Sequence, residues 1–293
     1  MLWFQLNINR DFSDKRTKEA ESFIKMEPTD MKIAIIGAGE KASAVAHGLF
    51  SKGFKRLIMT DLPLPVAERK GVSFSEAAID QKKEVCGVTC ERAEPELDAI
   101  NQIWSRGNIP LLIAPYDELI KTIKPGIVIY AVMAKKNTGS SIGLAPLVIA
   151  LGPGFYAGKD AHYVIETNPG SPDLGKIIEQ GFTDEQTDIP TEVSGMTLER
   201  LLLSPGTGTL RVIKDVGDPV QKGDVIGYVE DKKLLAPISG FIWGLIRTPA
   251  DVEEGQKIGD IYPGDDIETC FEITPQAKLI AESVWKAILK GIS

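Results

Sequence analysis

The chain is poor in the residues from which disulfide frameworks and transition-metal sites are built. Its 293 residues include three cysteines and two histidines. Cys86, Cys90 and Cys270 do not form a disulfide framework, which points to a reducing, cytoplasmic setting. Cys86 and Cys90 are not in C-x-x-C spacing, and with only His47 and His162 beside them no zinc site is expected. Small, partly buried apolar residues are the plain reading of the thiols. No apolar run reaches the roughly 18 residues that span a bilayer, so no membrane span is expected. Positive charge is also short: 33 Lys and Arg against 41 Asp and Glu leave a net charge of −8, which argues against a nucleic-acid-binding surface. Residues 1–30 lack the continuous apolar core of a secretory signal and mix charge signs without a period. They read as an extension, either poorly ordered or preceding a start at Met31.

What remains is ordinary for a globular protein, at 43% hydrophobic and 25% charged residues, with length for one large domain or two. The organising stretch is Lys32-Ile-Ala-Ile-Ile-Gly-Ala-Gly-Glu-Lys-Ala42. An apolar run, Ile33–Ile36, predicts a buried strand. Gly37, Gly39 and Ala42 follow in G-x-G-x-x-G/A spacing. Ala42, Val45, Ala46, Leu49 and Phe50 then fall on one helical face, and Gly53 stops the helix. A second strand, Arg56 to Thr60, ends in Asp61, 22 residues after Gly39, where an acid can accept a hydrogen bond from a ribose hydroxyl. Gly37 allows the tight turn, Gly39 lets a pyrophosphate reach the backbone, and Ala42 lets helix and strand pack closely. The free N–H groups and dipole of the helix favour a phosphate, whereas Glu40 at its start would repel one. Arg69, Lys70 and Ser73 follow the acid closely enough to help hold a phosphate, a solvated charged face being the alternative.

Further along, strands are predicted at 85–92, 111–114, 127–132 and 147–151 and around Val164–Ile165. Helices are predicted at 94–106, 116–123 and 174–180, a strand–helix alternation that indicates a parallel sheet covered on both faces. Ligands of such sheets bind beyond the carboxyl ends of the strands. That makes three loops candidates. Lys135 and Lys136 are cations after one strand, with Asn137, Thr138 and Ser140 as donors. Gly152-Pro-Gly154-Phe155 promises a close backbone approach to a ligand or simply a sharp turn. Glu166 and Thr167 end another strand, with a structural hydrogen-bond acceptor as the alternative for Glu166.

The last third hides a repeat at an offset of 32 residues: Leu202 and Leu234, Pro205 and Pro237, Gly208 and Gly240, Val220 and Val252, Gly223 and Gly255, Ile226 and Ile258. Each copy reads as short strands and tight turns, and two copies are expected to interlock as a small β-sandwich, since one cannot bury its own face. With Gly217-Asp-Pro-Val-Gln-Lys-Gly-Asp-Val-Ile226 and Ala236-Pro-Ile-Ser-Gly240, the segment resembles the biotinyl/lipoyl-like barrel-sandwich hybrid. The Met-Lys-Met hairpin of those carriers is replaced by Glu230-Asp-Lys-Lys-Leu234, so neither biotin nor lipoate is expected on Lys232 or Lys233. A last helix is predicted over Pro275–Leu289.

The predicted fold is therefore α/β: a Rossmann-like, mostly parallel sheet with helices on both faces over 31–195, a small barrel-sandwich β-module over 200–264, and a terminal helix within 270–293. With GAGEKASAVAHGLF, GVSFSEA, AKKN, LGPGF, VIET and IGDIYP in this order, the chain resembles the YqeB-type accessory proteins of selenium-dependent molybdenum hydroxylases, relatives of the XdhC/CoxI maturation factors. The resemblance implies late handling of the molybdenum cofactor, with a hydroxylase apoenzyme or another maturation protein as partner. The implied cofactor is the molybdenum cofactor or a dinucleotide. Two departures stand out. Asn168-Pro-Gly-Ser-Pro-Asp173 replaces an Arg-Gly-His-type segment, and Glu40-Lys41 replaces a common Asp-Leu pair. An NAD(P)-dependent oxidoreductase and a non-catalytic scaffold are the competing readings, the first weakened because no Tyr-x-x-x-Lys motif falls within the strand–helix domain over 31–195. Oligomeric state is open, a homo-oligomer included.

Overall fold

The computed structural model describes residues 30–185 and 189–292, so the expected N-terminal extension lies, but for Asp30, outside the described residues. Strand β1 (Ile33–Ile36) has no polar face, and its alternating side chains feed two cores. Ile33 and Ile35 join one, Ala34 and Ile36 the other. Helix α1 (Glu40–Ser51) buries Ala42, Val45, Ala46 and Leu49, and the chain turns at Gly53, whose φ of +98° favours glycine. Strand β2 (Leu57–Thr60) returns parallel to β1.

Next come α2 (Ala77–Asp80), β3 (Lys82–Val85), β4 (Val88–Ala93), α3 (Leu97–Ser105), β5 (Ile109–Leu112), α4 (Tyr116–Ile123), β6 (Ile127–Tyr130), β7 (Leu147–Leu151), β8 (Tyr163–Ile165) and β9 (Ile177–Ile178). Among the described residues these strands form one sheet in the order β3-β4-β5-β2-β1-β6-β7-β8-β9. The inner seven are parallel; β3 and β9 are antiparallel edges. Strand order reverses at β1, so the carboxyl ends of β1 and β6 flank the crevice where such sheets take ligands. Helices α3 and α4 cover the face that carries Ala34 and Ile36.

Two elements differ from expectation. The strand predicted over 85–92 is a hairpin, because Cys86 and Gly87 both take positive φ and reverse the chain. The helix predicted over 174–180 does not form. Gly175 sits at φ +81°, and the backbone of Glu166 exchanges hydrogen bonds with this segment instead, donating to Lys176 and accepting from Gly175. Ile177 and Ile178 thereby become the edge strand beside β8.

The repeat folds into β10 (Leu201–Leu203), β11 (Gly208–Val212), β12 (Pro219–Val220), β13 (Val225–Val229), β14 (Lys232–Leu235), β15 (Gly240–Leu245), β16 (Ala250–Val252) and β17 (Lys257–Tyr262). The sheets are β10-β17-β15-β12 and β14-β13-β11-β16, so each takes two strands from each copy. Repeat-matched residues meet in one core: Leu202 with Leu234, Leu210 with Ile242, Ile226 with Ile258, all buried. Either copy alone would leave these positions in water, which is why the two interlock.

Helix α5 (Pro275–Gly291) starts with Pro at its first turn and Thr274 as N-cap, whose side chain accepts from Ala277 N at 3.2 Å. Ile280, Val284 and Ile288 pack beside α1 on the other face of the large sheet. The loop after β2 ties the β-module in place. Leu245 N donates to Glu68 O at 2.7 Å, Lys257 pairs with Glu68, and Arg247 clasps Glu76 at 2.6 Å and also Asp80. Among the described residues no helix is long and apolar enough to cross a membrane.

Candidate functional site: a cleft between the glycine turn and the β-module

These ties set the β-module opposite the glycine turn and leave a cleft of about 1210 Å³ between them. Gly37, Gly39, Ala42 and Asp61 line one wall. At Gly37, φ is +100° and a Cβ would lie 3.0 Å from Ala131 O, so the exit from β1 past β6 requires glycine. At Gly39 a Cβ would meet nothing within 4 Å: the backbone is open to the cleft. No side chain caps the start of α1, whose first turn keeps N–H groups available. Glu40 turns toward α5, accepting from Thr274 Oγ1 at 3.2 Å. Asp61 accepts from Ala38 N at 3.2 Å and Leu62 N at 2.8 Å. Burial raises its pKa, against the pull of those two N–H groups.

The other loop residues separate. Thr167 is fully buried and lines the cleft, with no partner for its hydroxyl among the described residues. Glu166, one residue before it, is turned away. Its carboxylate accepts from Asn168 N at 2.7 Å and Asp184 N at 2.6 Å, the work of a structural acceptor. Lys135 and Lys136 are exposed and lie outside the cleft lining, whereas Thr138 lines it and bonds Tyr130 OH at 2.8 Å. Asn137 folds back on its own loop, accepting from Gly139 N and Ser140 N and donating to Ser140 O. Gly152, Gly154 and Phe155 meet protein. A Cβ on Gly154 would lie 2.6 Å from Lys136 Cα, one on Gly152 2.8 Å from Thr167 Oγ1, and Phe155 is a core residue edge-on to Tyr130 at 5.5 Å. The close approach that these glycines signalled is to neighbouring loops.

The opposite wall is one that reading along the sequence does not assemble. Arg69 and Arg200 both stand over the Trp243 ring, their Cζ atoms 4.2 and 5.1 Å from its centroid. Arg200 is 2% exposed and pairs with Asp260, 6% exposed, at 2.9 Å; it also donates to Thr191 O. Arg69 is 7% exposed and donates to Glu272 O at 3.1 Å. Burial lowers its pKa, opposed by the charges of Glu40 and Asp260. Ser73 also lines this region, its hydroxyl donating to Arg69 O at 2.9 Å, while Lys70 pairs with Asp215 outside the cleft lining. The one clue in the sequence was Asp260 within Ile258-Gly-Asp-Ile-Tyr-Pro263, an acid between apolar residues and glycine.

The lining therefore offers carboxylates, guanidinium groups, hydroxyls, backbone N–H groups and an indole, with neither imidazole nor thiol. Such a set binds by charge pairing, hydrogen bonding and stacking. Among the described residues no cluster of His, Cys, Asp and Glu is arranged to hold a metal ion.

No protein-family model matches the chain. Among curated proteins it is 38% identical over 257 residues to the uncharacterized protein YqeB of Escherichia coli strain K12. The chain is similar to YqeB over 88% of its own length. It spans about half of YqeB, 47% of that protein. Among solved structures, TcdA (CsdL) gives a TM-score of 0.30 at 13% identity, covering 93% of this chain and 90% of that one. A succinylglutamate desuccinylase from Silicibacter sp. TM1040 gives 0.23 at 12% identity, covering 79% and 84%. Likenesses this weak carry no argument about fold or function.

Proposed function

We propose that this protein binds a phosphate-bearing ligand, the molybdenum cofactor or a nucleotide, in the cleft walled by Gly37–Ala42 and Asp61. In this reading it serves in the cytoplasm as an accessory factor in molybdenum hydroxylase maturation, with the hydroxylase apoenzyme or another maturation protein as partner. The large sheet is then a Rossmann-like domain and the paired sheets a barrel-sandwich hybrid that forms the second wall. The observation that carries the reading is the cleft itself: the open glycine turn with clear space over Gly39, the acid after β2 and the guanidinium groups of Arg69 and Arg200 all face it. The similarity to YqeB supports the YqeB-type assignment, and the maturation role follows only as what that resemblance implies.

Thermal-shift titrations with NAD, NADP, ATP, CTP and molybdopterin species test it. A nucleotide or molybdopterin is expected to raise the melting temperature of the wild-type protein and not of Gly39→Asp, whose side chain would enter the cleft. A response to NAD and NADP alone would replace the reading with an oxidoreductase. No response to any of them would leave a scaffold.

A further inference from the structure

Arg69 is a buried cation in no direct ion pair, the charges of Glu40 and Asp260 acting on it only from farther off. It is 7% exposed, and among the described residues no carboxylate oxygen comes within ion-pair distance of it. Among the described residues its side chain makes one hydrogen bond, to the main-chain carbonyl Glu272 O, and its Nε and Nη1 atoms are buried with no acceptor. A guanidinium held this way is costly unless an anion completes it. The neighbouring cations are already matched: Arg200 by Asp260, Lys257 by Glu68. Arg200 nevertheless keeps an unpartnered Nε over the same Trp243 ring. At the glycine-turn wall Glu40 and Asp61 outnumber Lys41, and no guanidinium lines it. The opposite wall carries Arg69, Arg200 and Lys257 against Glu68, Glu192, Asp260 and Glu272, so its unpartnered guanidinium N–H groups, and not a net positive charge, distinguish it.

We propose that the anionic group of the ligand binds at the β-module wall, as a phosphate or diphosphate paired with Arg69 and bonded by Arg200 Nε, and not at the start of α1. The inference rests on the reading of the cleft as a ligand site. It fixes the ligand's orientation: the phosphate end lies over Trp243, and the uncharged, hydroxyl-bearing end lies against Gly39 and Asp61, where carboxylates accept hydrogen bonds and repel anions. Buried N–H groups with no internal partner are satisfied by this placement.

Isothermal titration with inorganic pyrophosphate tests it, on the wild-type chain, Arg69→Met, Arg69→Lys and Lys70→Met. The wild type is expected to bind. Arg69→Met should weaken binding by about 30-fold or more, as expected for loss of one partner of a buried charge pair. Arg69→Lys keeps the charge without the fan of donors and should fall between them, which also serves if the methionine variant does not fold. Lys70→Met removes a neighbouring cation outside the cleft and should bind as the wild type does. Without ligand, Arg69→Met should melt no more than about 3 °C below the wild type, because it removes an unpaired buried charge. No pyrophosphate binding by the wild type, or equal binding by wild type and both Arg69 variants, would overturn the placement. The wider ligand reading is judged separately by the nucleotide and molybdopterin titrations, so the two fail independently.

Discussion

Asp61 Oδ2 lies 3.2 Å from Ala38 N, so the acid that ends the second strand is hydrogen-bonded to the glycine turn itself. The turn and the acid are therefore one unit, held together before any ligand arrives. Burial works against the ionised form of this acid, and its pKa is raised above the ordinary 3.8. The folded protein then holds the Asp61 proton more tightly than the unfolded chain does. Its contribution to stability is fully present below pH 3.8 and is lost as pH rises through the raised folded value. Denaturation free energies measured against pH for wild type and Asp61→Asn should diverge in that window and run parallel above it. Parallel curves throughout would mean that the acid is not desolvated.

The Arg200–Asp260 pair should show the asymmetry of a buried ion pair. Asp260→Leu leaves a second guanidinium in the wall without its counter-charge and should cost about 3 kcal/mol of stability. Replacing both residues by apolar ones, Arg200→Met with Asp260→Leu, should cost much less than the sum of the single changes. Urea denaturation of the four proteins in the cycle measures this. Additive losses would contradict the pairing.

Glu166 should prove structural. Glu166→Gln replaces one of two carboxylate oxygens that each accept a backbone N–H, at 2.7 and 2.6 Å. A loss of about 2 kcal/mol is expected. Ligand affinity, measured by calorimetry on the folded fraction, should stay near the wild-type value. A variant of wild-type stability that fails to bind would return Glu166 to the binding residues.

Gly154→Ala probes the packing of two loops. The new Cβ would lie 2.6 Å from Lys136 Cα at a φ of +88°, so backbone and not a flexible side chain must move. A loss of about 3 kcal/mol is expected from strain and overpacking together. Chemical denaturation checks it, and an unchanged midpoint would show that the loops are not in contact.

The parts of the fold set by local chain chemistry were legible in the sequence. Ile33–Ile36 has no polar position and must be buried on both faces. The offset of 32 pairs Leu202 with Leu234 and Ile226 with Ile258, and those pairs do share a core. What failed was set by contacts across the chain. Leu174–Gln180 has apolar residues at helical spacing, yet Glu166 supplies backbone partners that hold the segment as an edge strand. Half of the site was legible for the same reason. Gly37, Gly39, Ala42 and Asp61 belong to one strand–helix–strand unit and arrive together. Arg69, Arg200 and Trp243 meet only because the loop after β2 is fastened to β15 through Leu245 and Glu68, and no spacing along the chain announces that.

Native mass spectrometry of gently purified protein tests the central claim most directly, since the ligand need not be guessed in advance. The account predicts a non-covalent, phosphorus-containing small molecule on the wild-type protein that is depleted from Arg69→Met. A well-folded wild-type sample that carries no ligand and takes up none from nucleotides, molybdopterin species or pyrophosphate would contradict it.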